Sequence, residues 1–290
     1  MTNTALKSKK KSKIKEIWRR MKKNKPAMVG LAVLLVFAFC AICADFIVPY
    51  KTAVSQNAKM RLNRPGNGYI FGTDAYGRDV FARVIHGSRI SLTIGLFTTF
   101  FSVIIGGFLG ACAAYYGGKT DNIIMRIMDT LTCIPAILLA LAIIAALNAN
   151  MQNLLIAITI ASVPGFTRLI RSVILTVAEQ DYIEAAKSYC TGDFRIILKY
   201  ILPNAMGPII VQATMSIADM ILAAAGLSFI GMGVQPPTPE WGAMLSEARE
   251  YMRTAPYLLF FPGACILLSA LSLNLIGDGL RDALDPKLKN

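Results

Sequence analysis

The chain has 290 residues, of which 55% are hydrophobic and only 16% charged, against about 25% charged in an ordinary soluble domain. That balance excludes intrinsic disorder, and it excludes a soluble globule, which could not cover so much apolar surface with so few charges. The net charge of +13 is unevenly spread, with eleven of the 30 basic residues lying before Pro26. Basic chains bind nucleic acid or a membrane surface, and the apolar runs decide for the lipid bilayer. The composition predicts an all-α, polytopic membrane protein.

The basic head, 1–26, carries Ile14, Ile17, Trp18 and Met21 at i, i+3, i+4 and i+7. One apolar stripe among lysines predicts a helix lying in the membrane interface with Trp18 as its anchor. The first apolar run, Ala27–Ala44, continues through Phe46-Ile47-Val48 to Pro49. A bilayer core about 30 Å thick needs about 20 apolar residues in a helix. On that measure six spans are predicted, at 27–48, 91–115, 123–147, 153–175, 206–230 and 256–277. Between them lie a segment at 49–90, a polar segment at 178–204 and a loop with a short helix at 231–255. Thr238 is the expected cap of that helix and Pro239 its first residue, with Ala243, Met244 and Ala248 facing the membrane or a partner. Spans two to six, 91–277, form one five-helix core, and 278–290 is a tail.

Orientation follows from Lys and Arg, which accumulate on the cytoplasmic side. With the N-terminus inside, 21 basic residues are cytoplasmic and 9 are outside. Both termini are therefore expected in the cytoplasm, with 49–90 and 231–255 outside.

Reactive chemistry is hard to find. Five of the six cysteines sit in apolar runs, where Cys behaves as a small hydrophobe. Cys40-x-x-Cys43 has no second pair, and His86 is the single histidine. No metal site, cofactor or catalytic residue is expected. Gly118-Lys119-Thr120 resembles the end of a phosphate loop, but Ala113 stands where that pattern needs glycine. Gly231-Met232-Gly233 is followed by Pro236-Pro237, which bars a helix from starting there. The chain is expected not to be an enzyme, so any ATP is used by another subunit.

A charge inside a span costs about 2.5–3.5 kcal/mol at its centre, so the few present are candidates for function. Arg126 and Asp129, at i, i+3, are expected to pair, either structurally or in gating. Asp219 lies deeper, with no partner on its own helix. It is expected to face the bundle or a watery path, bonded to a partner chain or to a substrate amine.

The segment Ala178–Asn204 is too polar to span and too patterned for a passive loop. Asp181-Tyr182-Ile183-Glu184-Ala185-Ala186-Lys187 reads as a helix opened by acid, with small alanines that permit close approach. Thr191-Gly192-Asp193 breaks it, Asp193 is the expected next cap, and a second piece runs from Phe194 to Pro203.

At Glu184-Ala185-Ala186, Gly192-Asp193 and Ile201-Leu202-Pro203-Asn204 the sequence resembles the cytoplasmic EAA loop of ABC-importer permeases. Cys190 stands where that family usually has glycine. Phe71-Gly72-Thr73-Asp74-Ala75-Tyr76-Gly77-Arg78-Asp79, Leu227–Pro239 with Trp241-Gly242, and Gly277–Pro286 resemble the dipeptide/oligopeptide/nickel-type permeases, from about Lys22 to Leu288. The extra first span matches the second permease of the usual pair. The resemblance implies a type I importer fold, with Glu184, Ala185, Ala186, Cys190, Gly192 and Asp193 docking an ATPase. It also implies the partners: a homologous permease, two cytoplasmic ATP-binding subunits and an extracytoplasmic substrate-binding protein. Peptides are the expected cargo, with nickel or another small solute as the alternative. An ion-coupled secondary transporter would instead need paired inverted repeats, which the sequence lacks.

Overall fold

With no water in a bilayer core, backbone N–H and C=O groups must be satisfied within the chain, and the apolar runs are accordingly helical. The computed structural model describes residues 15–284 except Asn67 and Cys190, and their side chains except those of Lys187 and Phe194. A helix over 15–21 (α1) leads to Lys25–Ile42 (α2), where the side-chain oxygen of Asn24 accepts from the N–H of Ala27. Ala44–Ile47 (α3) and Tyr50–Val54 (α4) are short. Val80–Tyr116 (α5), Gly118–Thr132 (α6), Ala136–Leu147 (α7) and Met151–Ala178 (α8) follow. Asp181–Ser188 (α9) and Asp193–Ile196 (α10) precede the long Leu202–Phe229 (α11). Trp241–Ala248 (α12) and Tyr257–Leu284 (α13) complete the order. Among the described residues the only bridge of β type joins Thr73 and Asp79.

Four boundaries differ from expectation, each for a local reason. The first span stops at Ile42, because Cys43 leaves the helical region and α3 starts afresh. The second begins at Val80, not 91, since Asp79 caps it by accepting from the N–H groups of Phe81 and Ala82. The third is not one straight helix: α6 and α7 meet at 82°. Pro135 supplies no N–H there and crowds the preceding turn. Among the described residues, five helices are long and apolar enough to cross a membrane, and a sixth span is added if the bent pair counts as one. In the fifth, Pro203 does not end a helix but lies in the first turn of α11. A π-helical stretch, Ile197–Ile201, joins α10 to α11, and π turns of this kind mark functional segments.

Helix packing relies on missing side chains. In α5, a Cβ at Gly106 would lie 2.7 Å from Cβ of Phe166, and one at Gly110 only 2.6 Å from the carbonyl of Thr167. So α5 and α8 touch backbone to backbone, the usual device where no hydrophobic force drives association. At Gly30, α2 meets the carbonyl of Ser272 on α13 in the same way. Ile17 and Met21 of α1 pack with Ala27 and Ala283, while Trp18 is exposed. The first residues of α5 approach α12, and its last turn reaches α10. The bundle has an α12 end and an α9 end.

Candidate coupling face and polar residues of the spans

At the α9 end, Asp181 and Glu184 occupy the first turn of α9, where the helix dipole favours acid. Ile183 and Ala186 bury one face of this helix in a cluster with Ile170, Ile174, Ile196 and Ile201. The opposite face, Tyr182, Glu184, Ala185 and the 85% exposed Tyr189, has no covering element among the described residues. Ala186 was expected on the docking surface, but it is a seat for α9 and faces its own chain. The i, i+3 spacing of Ile183 and Ala186 explains this: both must share one face. The carbonyl of Gly192 accepts from the N–H groups of Arg195 and Ile196, at 2.9 and 3.1 Å. Asp193, expected as a cap, instead accepts a 2.7 Å bond from the hydroxyl of Tyr115 at the end of α5. Cys190 lies outside the described residues.

Arg126 and Asp129 are not paired. Asp129 accepts from Nη2 of Arg168 on α8 at 2.8 Å, and the same nitrogen reaches Oγ1 of Thr132 at 2.9 Å. One guanidinium thus serves two acceptors on α6, which Arg126 does not. Arg126 has no ion pair among the described residues. Closer to the end of α5, Nε of Arg171 donates to Asp121 at 2.5 Å in a two-pronged pair. Asp219 is exposed on the surface of α11, with no hydrogen bond or ion pair among the described residues. Gln212, Met215, Leu222 and Gly226 share its helical stripe by spacing.

The α12 end is stiffened by buried charge. Asp74 accepts from the N–H groups of Tyr76 and Arg78 at 2.8 and 2.9 Å, and from Nε of Arg78 at 2.5 Å. Arg78 also pairs with Glu247, and Nη2 of Arg83 donates to Glu247 at 3.0 Å. Both arginines are 1% exposed, so the loss of any member leaves a buried charge uncompensated. Glu240, not Thr238, caps α12, accepting from the N–H groups of Gly242 and Ala243 and the hydroxyl of Ser91. Burial pushes its carboxyl above the ordinary range, partly offset by those hydrogen bonds. Trp241 inserts against α5, where Gly87 leaves room for its ring, and donates to the carbonyl of Val84. Ala243, Met244 and Ala248, expected to face lipid or a partner, are buried within the chain.

The family model of the binding-protein-dependent transport system inner membrane component matches residues 102–290. The chain belongs to that family. A second model, the N-terminal transmembrane domain of oligopeptide transport permease C, matches residues 12–65. The chain is 46% identical to a dipeptide transport system permease protein of Alkalihalophilus pseudofirmus, over 95% of this chain and 90% of that one. It is 45% identical to a di/tripeptide permease of Pseudomonas aeruginosa, with 96% and 94% covered. A glutathione permease of Escherichia coli is also 45% identical, with 94% and 90% covered. The inward-facing MetNI methionine ABC transporter shares the fold, with TM-score 0.60, 16% identity, and 71% of this chain and 97% of that chain covered. Members of this family are transport permeases of the inner membrane, and this chain is a multi-pass membrane permease.

Sequence reasoning missed Tyr115, Arg168, Arg171 and Glu240. Each acts across a gap of dozens of residues or caps a helix one or two positions from the expected start. Only the acidic Glu240 ahead of Trp241-Gly242 left a local trace, because a carboxylate before two free N–H groups is a cap signal.

Proposed function

We propose that the chain is the permease subunit of an ATP-driven, binding-protein-dependent importer of di- or oligopeptides. The observation that carries this is α9, seated by Ile183 and Ala186 while Tyr182, Glu184, Ala185 and Tyr189 face outward. A two-turn helix anchored on the ends of α5, α8 and α11 can pass a push from a docked ATPase to three spans at once. The peptide and glutathione names of the relatives favour peptide over nickel. In this reading the α9 end and both termini are cytoplasmic, with the head 1–26 and the tail 278–290 there. The segments 49–90 and 231–255 lie outside, and 27–48 spans the membrane ahead of the 91–277 core.

A homologous permease completes the path, two ATP-binding subunits hydrolyse ATP, and a binding protein delivers cargo outside. Nucleotide closure draws the two α9 faces together, and rigid-body motion alternates access. Glu184, Ala185, Gly192, Asp193 and the Cys190 position make up the coupling segment, with Ala186 as its seat. Asp219 faces the path or the second permease, since a bare carboxylate cannot face lipid cheaply. Arg126 and Asp129 lie on the α6 side of the bend between α6 and α7 and are gating candidates.

The test replaces outward residues in the reconstituted complex. Ala185→Arg and Glu184→Lys should each lower peptide-stimulated ATP hydrolysis and uptake together by about tenfold, equal to about 1.4 kcal/mol of lost coupling. Normal stimulated hydrolysis with all subunits co-purifying would overturn the docking role. Uptake that persists without ATP and collapses with an ionophore would favour the ion-coupled transporter.

A further inference from the structure

Helix α1 spends its apolar stripe on its own chain. Ile17 and Met21 are taken up by Ala27 of α2 and Ala283 of α13, and so are withdrawn from lipid. The turn into α2 is tight. The N–H groups of Lys22, Lys23 and Asn24 donate to the carbonyls of Trp18, Arg20 and Met21 at 3.0, 2.9 and 3.1 Å. Nδ2 of Asn24 donates to Asp282 at 3.2 Å, and Ala27 fills the space where Gly279 has no side chain. These contacts fix α1 to the start of α2 and the end of α13, and they decide which face it turns outward.

The outward face is cationic. Lys15, Trp18, Arg19 and Lys22 recur at i, i+3, i+4 and i+7 and are all exposed, with Lys23 and Lys25 exposed beside them. None of these five cations forms an ion pair among the described residues, because Glu16, the one acid of 15–25, is held by Arg20 at 2.7 Å. At the adjoining end of α13, Asp278, Arg281 and Asp282 are exposed. Six exposed cations thus stand against two acids among the described residues, and the surface stays net positive. In sequence five more lysines and no acid precede it. Trp18 is 42% exposed, with Nζ of Lys22 5.3 Å from the centre of its ring. Lys25 is the first residue of α2, so this face stands where the first span enters the membrane.

We infer that this face binds the headgroups of anionic phospholipids, their phosphates taking the donors of Lys15, Arg19, Lys22 and Lys23 beside the Trp18 ring. Basic clusters directly ahead of a span attract anionic lipid, and tryptophan settles at headgroup depth, where its ring is half in water. An exposed tryptophan at the mouth of a span suits lipid better than an acidic protein. The ATPase face proposed above lies on other elements, since α9 is seated on α5, α8 and α11 while α1 is seated on α2 and α13. Bound headgroups therefore steady the packing of the first span on the last. The inference needs only that α2 crosses the membrane, and in the orientation proposed above the lipid belongs to the cytoplasmic leaflet.

The experiment titrates the purified complete complex, in neutral detergent, with fluorescent phosphatidylglycerol and separately with fluorescent phosphatidylcholine. Phosphatidylglycerol should bind about tenfold more tightly, with an affinity that falls as salt rises. Arg19→Glu combined with Lys22→Glu should weaken it by at least about tenfold, since each cation near the surface contributes about fivefold. Trp18→Ala should weaken both lipids. Lys119→Glu, an exposed lysine of α6, should change nothing. Co-purification of all subunits shows that the variants assemble. Unchanged phosphatidylglycerol affinity in the double variant overturns the site. An equal loss in Lys119→Glu also overturns it, by assigning the binding to overall charge. Displacement of the lipid by an equal concentration of inorganic phosphate would reduce the face to a plain anion site. Loss of the ATP-binding subunits from the double variant, with lipid affinity intact, would give the face to a protein partner and refute the lipid assignment.

Discussion

Residue-scale chemistry in this chain is decided by what each charge meets on a neighbouring helix. Asp129 meets Arg168, and both groups stay partly exposed, so the pair is a clasp between α6 and α8 and not a buried core. A double-mutant cycle of Asp129→Ala and Arg168→Ala should show coupling of about 0.6 kcal/mol, typical of polar contacts between membrane helices. The cycle of Asp129→Ala with Arg126→Ala should be additive. Thermal unfolding in nanodiscs measures both, and coupling to Arg126 in place of Arg168 would reverse the assignment.

Glu240 gives a pH prediction of definite sign. Its folded carboxyl titrates above the ordinary range because it is buried, so the protonated form is favoured by folding. The stability linked to it is full below the unfolded value of about 4.3. It is lost as pH rises through the higher folded value. Unfolding temperature should therefore fall on going from pH 4 toward neutrality, and Glu240→Gln should remove that component of the slope. A parallel slope in the variant would mean that other groups carry it.

Elements in this molecule are placed by small residues and breaks. Gly110 of α5 has the carbonyl of Thr167 where a Cβ would go, so Gly110→Ala should cost about 1–3 kcal/mol through forced separation of α5 and α8. Gly207 in α11 has nothing within 4 Å of the same position. There the same substitution should be neutral or stabilise by up to about 1 kcal/mol, since alanine loses less backbone freedom. Unfolding midpoints that shift equally for the two would show that helix propensity, and not close approach, sets the response. The two helices were expected from apolar length, and Gly106 and Gly110 give α5 a flat face. Which helix lies on that face required the fold. The bend at Pro135 was missed because an uncharged run from Thr130 to Thr167 reads as continuous when only hydropathy is followed.

On the scale of the whole molecule, the paired question is which end faces the cytoplasm. A cysteine at Ser8 should be labelled only after the membrane is opened, and one at Gln56 should be labelled in sealed cells, with native cysteines removed. Labelling at Ser8 in sealed cells would invert the topology. The basic asymmetry behind this expectation becomes sharper in three dimensions. Of the nine basic residues expected outside, Arg78, Arg83 and Arg89 are paired with carboxylates.

The membrane class, the approximate spans and the α9 segment were all legible in the amino-acid order. Each depends on runs or spacings within one turn or one helix, where period and composition act directly. Tertiary structure alone decided that Ala186 faces inward, that Asp129 turns to Arg168, and that α12 is buried by Trp241. It also decided that Asp74 and Glu247 pair there with the buried Arg78 and Arg83. Those facts depend on which helix faces which across gaps of tens to more than a hundred residues. No local period records that choice, because it is made by close packing at Gly30, Gly106 and Gly110 and by the Trp241 ring against Gly87.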